Sequence, residues 1–241
     1  MALLLVAHGE RSNGGANAGV VQLAATLRGR AIAPEVAIGF IKGTPTITES
    51  VRALHADEIV VYPLFLSDGY FTRARLPEIL SEAMRADRPR AIRMLPPLGL
   101  DPALVPLLID KLVGTAQSRG LAPGEASVIL LAHGSSKDPA SRIAAERIAD
   151  NVRRRTSFRA VQVALLEEAP SLQEAASDLS GPIIILGLLA GEGMHGAGDA
   201  PRLVEELGRS DAVFAGTLAT LDGIADVVAA AVARAIQRQS L

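Results

Sequence analysis

The sequence predicts an α/β protein made of two duplicated halves, each a parallel four-stranded sheet flanked by helices. Three observations predict it. Short β-rich runs alternate with longer stretches of helical period; the strand runs are continuously apolar, as in parallel sheets covered on both faces; and the whole order recurs about 125 residues further on.

In the first half the strands are expected at "ALLLVA" (2–7), "EVAIGFI" (35–41), "EIVVYPLFL" (58–66) and "AIRML" (91–95). Between them, apolar residues at three and four spacing predict helices over 17–29, 46–56, 75–86 and 102–120. The second half repeats the pattern with strands at 127–132, 160–166, 182–190 and 212–218, a helix over 135–155 and a closing helix over 223–237. Anchors tie the copies together. An offset of 125 carries His8 onto His133 and Pro45 onto Pro170, and an offset of 124 carries Gly69 onto Gly193 and Pro77 onto Pro201. The halves are therefore placed at 1–120 and 121–241, joined through "SRGLAPGEA" (118–126).

Composition narrows the chemistry. The 24 basic and 26 acidic side chains give a formal charge of -2, which provides no strong field for nucleic acid or an anionic membrane. The absence of cysteine removes disulfides, thiolate ligands and a Cys nucleophile, and leaves His, Asp and Glu as the strong metal-binding side chains. "MALLLVA" is too short for a signal peptide, and no later apolar run is long enough to span a bilayer. The expectation is a cytoplasmic protein, monomeric or homodimeric.

Ligands of open parallel sheets bind beyond the carboxyl ends of the strands. In the first half the residues expected there are His8, Lys42 and Phe71; in the second they are His133, Glu167 and His195. Two imidazoles and a carboxylate suit Fe²⁺, Co²⁺, Ni²⁺ or Zn²⁺ and leave coordination positions open. Lys42 and Phe71 supply no such ligands, so one metal site, in the second half, is the economical reading. Glu168, beside Glu167, is an alternative carboxylate, because strand ends are uncertain by a residue or two. His55 has no counterpart and is read as a surface histidine near a helix end. Gly9 and Gly134 follow the histidines where strand turns to helix, and "GEGMHGAG" (191–198), with Gly193, is a loop that lets a flat ligand approach the backbone. Ser135, Ser136 and Lys137 stand at the expected helix start, either as simple caps or as contacts for a ligand carboxylate.

The segments "LLAHGSSKDP", "VALLEEAPSL", "GMHGAGDAPRLVEEL", "VAHGE" and "VVYPLFLSDGYFTRARLPEIL" resemble the class II tetrapyrrole chelatases, the sirohydrochlorin cobaltochelatase and ferrochelatase family. The likeness spans nearly the whole chain. It implies flavodoxin-like halves facing a central cleft, with sirohydrochlorin bound between them and Fe²⁺ or Co²⁺ as the metal substrate; the ligand set accommodates both ions, and Fe²⁺ is taken as the first metal to test. No tightly bound cofactor is implied. The family's histidine, acid and "G-x-H" histidine match His133, Glu167 and His195; in the first half only His8 matches, with Lys42 and Phe71 departing from the pattern. "HGSSKDP" also carries one residue more than the usual "HGSRDP".

On this reading His133 and His195 present the metal and Glu167 assists as ligand or proton acceptor, while neutral imidazole serves equally as metal ligand and base. Lys42, Arg73 and Arg75 are candidates for pairing with substrate carboxylates, Phe71 for packing on the macrocycle, and His8 for a hydrogen bond or ligand role. Two other classes remain: a tetrapyrrole or metal carrier that does not catalyse insertion, and a phosphate-handling α/β enzyme. The second lacks both an "RHG" motif and a Gly-rich phosphate loop.

Overall fold

Two strongly apolar runs of the sequence become the two central strands, β1 (Ala2–Ala7) and β5 (Ser127–Ala132), each buried along its whole length. The computed structural model describes residues 1–9, 17–135, 138–189 and 199–237. The first half continues with α1 (Ala18–Gly29), β2 (Glu35–Phe40), α2 (Ile47–Ala53), β3 (Glu58–Pro63), α3 (Leu76–Arg85), β4 (Ala91–Met94) and α4 (Leu104–Ser118). After β5 come α5 (Ala140–Arg155), β6 (Ala160–Leu165), α6 (Leu172–Ser177), β7 (Ile183–Gly187), α7 (Asp199–Glu206), β8 (Ala212–Thr217) and α8 (Ile224–Gln237). The strands form two all-parallel sheets of order β2-β1-β3-β4 and β6-β5-β7-β8. Even the register repeats: Ala2 stands opposite Glu35, and Ser127 opposite Ala160, at the same offset of 125.

Local hydrogen bonds carry the duplication further. Thr46 and Glu49 form a reciprocal cap on α2, and Ser171 and Glu174 form the same cap on α6. These bonds hold the Glu49 and Glu174 carboxyls below the ordinary glutamate range, the backbone N–H of Thr46 or Ser171 being the chief cause. Arg28 donates from Nε to the Val36 carbonyl at 2.8 Å, and Arg153 does so to Val161 at 2.8 Å. Arg153, in the last turn of α5, is thereby tied to an edge strand.

Alternation along β1 divides the core. Ala2, Leu4 and Val6 pack under α2 and α3, whereas Leu3, Leu5 and Ala7 enter a core shared by both halves. That shared core exists because the closing helices are exchanged. α4, which ends the first half, packs against α5, β7 and β8, while α8, which ends the second, lies against α1. Charged contacts fasten α8 to the first half: Arg234 meets Asp101 at 2.6 Å, Asp226 meets Arg30 at 2.6 Å, and Arg93 donates to the Ala235 carbonyl at 2.6 Å.

Asp101 is the buried member of this set, with its side chain 5% exposed. It also accepts from the Tyr62 hydroxyl at 3.3 Å and from the Ala103 N–H at 2.9 Å, at the start of α4. Burial, reinforced by the Asp101 charge, pushes the Tyr62 phenol above its ordinary range. Replacing Asp101 with alanine is expected to destabilise the protein by about 2 kcal/mol, below the usual cost of breaking a fully buried pair because Arg234 is partly solvated. Thermal unfolding should register this as a fall of about 4–8 °C.

Several boundaries differ from the sequence expectation. β3 stops at Pro63 rather than at residue 66, because its partner β1 ends; Leu64 N–H bonds the Val6 carbonyl, and Leu64 and Leu66 stay apolar because they pack on the core as loop. The "TITESVRALHA" helix closes at Ala53, leaving His55 beyond it. Phe71 is not in an open loop: Phe71–Arg75 form a π-helical turn running straight into α3. α5 begins at Ala140, five residues after Ser135, since Asp138 accepts the Ala140 N–H at 2.9 Å and Pro139 is already at φ -71. Among the described residues no helix is long and apolar enough to cross a membrane.

Candidate metal and macrocycle site

Because the strands of each sheet run parallel, the loops after β5 and β6 emerge side by side. His133 is the first residue past β5, and its carbonyl accepts the N–H groups of Leu166 at 3.1 Å and Glu167 at 3.0 Å. This stitch places the two predicted residues together: Glu167 Oε2 lies 3.7 Å from His133 Nδ1. Both side chains remain about half exposed, at 49% and 45%. His133 Nδ1 is also 3.3 Å from the Gly134 carbonyl oxygen. A carbonyl only accepts, so it is the Nδ1–H tautomer of His133 that makes this contact a hydrogen bond.

Glu168 points elsewhere. Its side chain is 17% exposed, its Oε1 accepts the Ser135 N–H at 3.0 Å, and its Oε2 lies 3.9 Å from Arg142 Nε. Of the two neighbouring acids, Glu167 is the one beside His133. Ser135 Oγ in turn accepts the Asp138 N–H at 3.3 Å. Ser136, Lys137, Gly193 and His195 lie outside the described residues. Among the described residues no three His, Asp or Glu side chains gather as a metal-holding group.

The first half builds the same stitch with different chemistry. The His8 carbonyl accepts the Lys42 N–H at 2.7 Å, and the Lys42 side chain that stands in place of Glu167 is exposed. His8 packs edge-on against Phe71, ring centroids 4.8 Å apart, and Phe71 also meets Phe65 at 6.3 Å and Tyr70 at 5.5 Å. Tyr70 and Phe71 are 57% and 39% exposed, an aromatic surface at strand ends that charge patterning alone does not reveal. Arg73 pairs with Asp68 at 2.9 Å on the open rim, and Arg75 pairs with Glu78 on α3. His55 contacts Glu35, the first residue of β2, so it sits at the opposite end of the sheet from His8.

Contacts between the halves bring the two loop sets together. Tyr70 N–H donates to Asp138 Oδ2 at 3.3 Å, and Gly69 is so close to Asp138 and Ala140 that an added Cβ would lie 3.0 Å from each. Neither Tyr70 nor Asp138 was among the expected site residues. Asp138 had a legible signal as the Asp of an Asp-Pro helix start; Tyr70 had only its place beside Phe71.

Comparison with known proteins adds independent evidence. The CbiX family model matches residues 2–115 and again residues 127–236. Over 220 residues, 83% of this chain and 75% of the relative, the sequence is 25% identical to a Halobacterium salinarum protein named probable sirohydrochlorin cobaltochelatase. The structure of CbiX, described as the terminal enzyme for biosynthesis of siroheme in denitrifying bacteria, superposes with a TM-score of 0.79 at 28% identity, covering 98% of this chain and 99% of that one. SirB from Bacillus subtilis with Fe³⁺ shares the fold, with a TM-score of 0.77 at 20% identity over 97% of this chain and 94% of SirB. Matched once in each half and over nearly its whole length, the chain belongs to the CbiX family.

Proposed function

We propose that the protein is a chelatase that inserts a divalent metal, Fe²⁺ or Co²⁺, into sirohydrochlorin. The observation that carries this reading is the His133–Glu167 pair at the strand ends of the second half, 3.7 Å apart and open to solvent, in a chain of the CbiX family. Metal insertion exchanges two pyrrole N–H protons for one divalent cation. It therefore needs a metal held loosely on one side of the ring and a group that takes protons.

His133 suits the first task. A half-exposed imidazole at a strand end binds a borderline metal without closing a four-ligand cage. Glu167, half exposed, serves as a second ligand or as the proton acceptor, and His195 is the proposed third member. On the first-half side, Phe71 and Tyr70 offer aromatic faces for the macrocycle, with His8 held edge-on behind Phe71. Lys42 is exposed and suited to a substrate carboxylate, and Arg73 reaches one by exchanging its solvent-exposed contact with Asp68, which is worth little in water. The first half thus grips the ring while the second handles metal and protons.

Anaerobic incubation with excess metal-free sirohydrochlorin and Fe²⁺ or Co²⁺, followed by absorption spectroscopy, tests the proposal. The expected result is many equivalents of metallated product per chain, above the rate without protein. Spectral change that stops at one equivalent per chain would instead identify a carrier.

A further inference from the structure

The Glu168 carboxylate lies beneath the His133–Gly134–Ser135 turn and is not accounted for by the metal-and-proton reading. We infer that Glu168 is a positioning residue: by accepting the Ser135 N–H, it locks the turn that aims His133 at the metal. This inference rests on the proposed chelatase activity and assigns that site a component beyond its reacting groups.

Three observations place Glu168 in this role. Its Oε1 is 3.0 Å from the Ser135 nitrogen, two residues past His133, while the His133 carbonyl is bonded to the N–H of Glu167, the residue before Glu168. The turn is thus held on both sides of Gly134 by consecutive residues of one segment. The side chain also packs against the turn itself, since a Cβ on Gly134 would stand 3.0 Å from Glu168 Cγ and 3.1 Å from Oε1. Finally, the 125 offset carries Glu168 back to Gly43 and Arg142 back to Asn17, so neither side chain has a counterpart at the equivalent first-half position. An acceptor fixed beneath a ligand's turn restricts the imidazole's approach much as a hydrogen-bonded carboxylate does for a ligating histidine.

Glu168→Ala and Glu168→Gln in the full chain test the inference. The protein has four histidines, so ¹³C labelling of histidine gives a small set of ring signals, with His133→Gln assigning the one in question. In Glu168→Ala the His133 ring signal is expected to shift or split at fixed pH while that of His55 stays in place. The kcat for metal insertion should fall about 10-fold, with KM for the tetrapyrrole unchanged. Glu168→Gln keeps an oxygen that accepts the Ser135 N–H and is expected to restore the signal and kcat to within about 3-fold of wild type. An unmoved His133 signal in Glu168→Ala, or a Glu168→Gln variant as impaired as Glu168→Ala, would overturn positioning through this bond. If the wild-type protein inserts no metal, the chelatase reading fails, and the His133 signal alone still decides the positioning role.

Discussion

Replacing His133 with alanine is expected to lower kcat for metal insertion by about 10²-fold or more, the scale of losing a positioned ligand and base. The residual imidazole and carboxylate groups of the site leave some turnover, and KM for the tetrapyrrole should change little if, as proposed, the ring is gripped chiefly from the first half. His8→Ala gives the contrast. His8 occupies the matching strand end, but its neighbours are Phe71 and the Lys42 segment, so its loss is expected to raise KM for the tetrapyrrole more than it lowers kcat. Steady-state assays of both variants with the same metal separate the two roles. A His133→Ala enzyme working at the wild-type rate beside an inactive His8→Ala enzyme would reverse the assignment of the halves.

The largest stability loss is expected from Gly9→Ala. Gly9 is at φ +71, where an L side chain is strained, and its Cβ would fall 2.0 Å from the Lys42 carbonyl oxygen and 2.6 Å from Phe40 Cβ. The obstacle is backbone at the end of β2, which moves only by breaking the His8–Lys42 stitch. A destabilisation of about 3 kcal/mol or more follows, or roughly 6–12 °C in thermal unfolding. Gly134 has a similar φ, +73, but an added Cβ there meets Glu168 Cγ and Leu165 Cβ only at 3.0 and 3.1 Å, which a shift of a few tenths of an ångström relieves. Gly134→Ala should therefore cost about 1–2 kcal/mol. Circular dichroism melts of the two variants measure the difference directly, and equal melting temperatures would mean that the β2 end gives way more easily than its packing implies.

Much of the architecture was legible because parallel, doubly covered strands leave an unmistakable trace. Runs such as "ALLLVA" and "SVILLA" are apolar on both faces, and the Pro45 and Pro170 anchors sit at equivalent turns, where their carbonyls accept the N–H of Phe40 and Leu165. The pairing of His133 with Glu167 followed from the same reasoning, since residues just past adjacent parallel strands must lie close together. The start of α5 was misplaced because "SSKDP" contains several plausible caps, and only the bond from Ala140 to Asp138 chooses among them.

What the sequence by itself determined was the duplicated α/β plan, the strand-end positions of His8, Lys42, His133 and Glu167, and the substitution of Lys42 and Phe71 in the first half for Glu167 and His195 in the second. The tertiary structure alone decided that α4 and α8 are exchanged into a shared core, that Glu167 stands beside His133 while Glu168 turns under the loop, and that Tyr70 and Asp138 join the two halves at the site. The physical reason is one of range. Apolar periodicity specifies which face of an element is buried, but the partner against which it is buried, and the direction of a polar side chain past the last paired residue, are set by contacts between residues far apart in the chain.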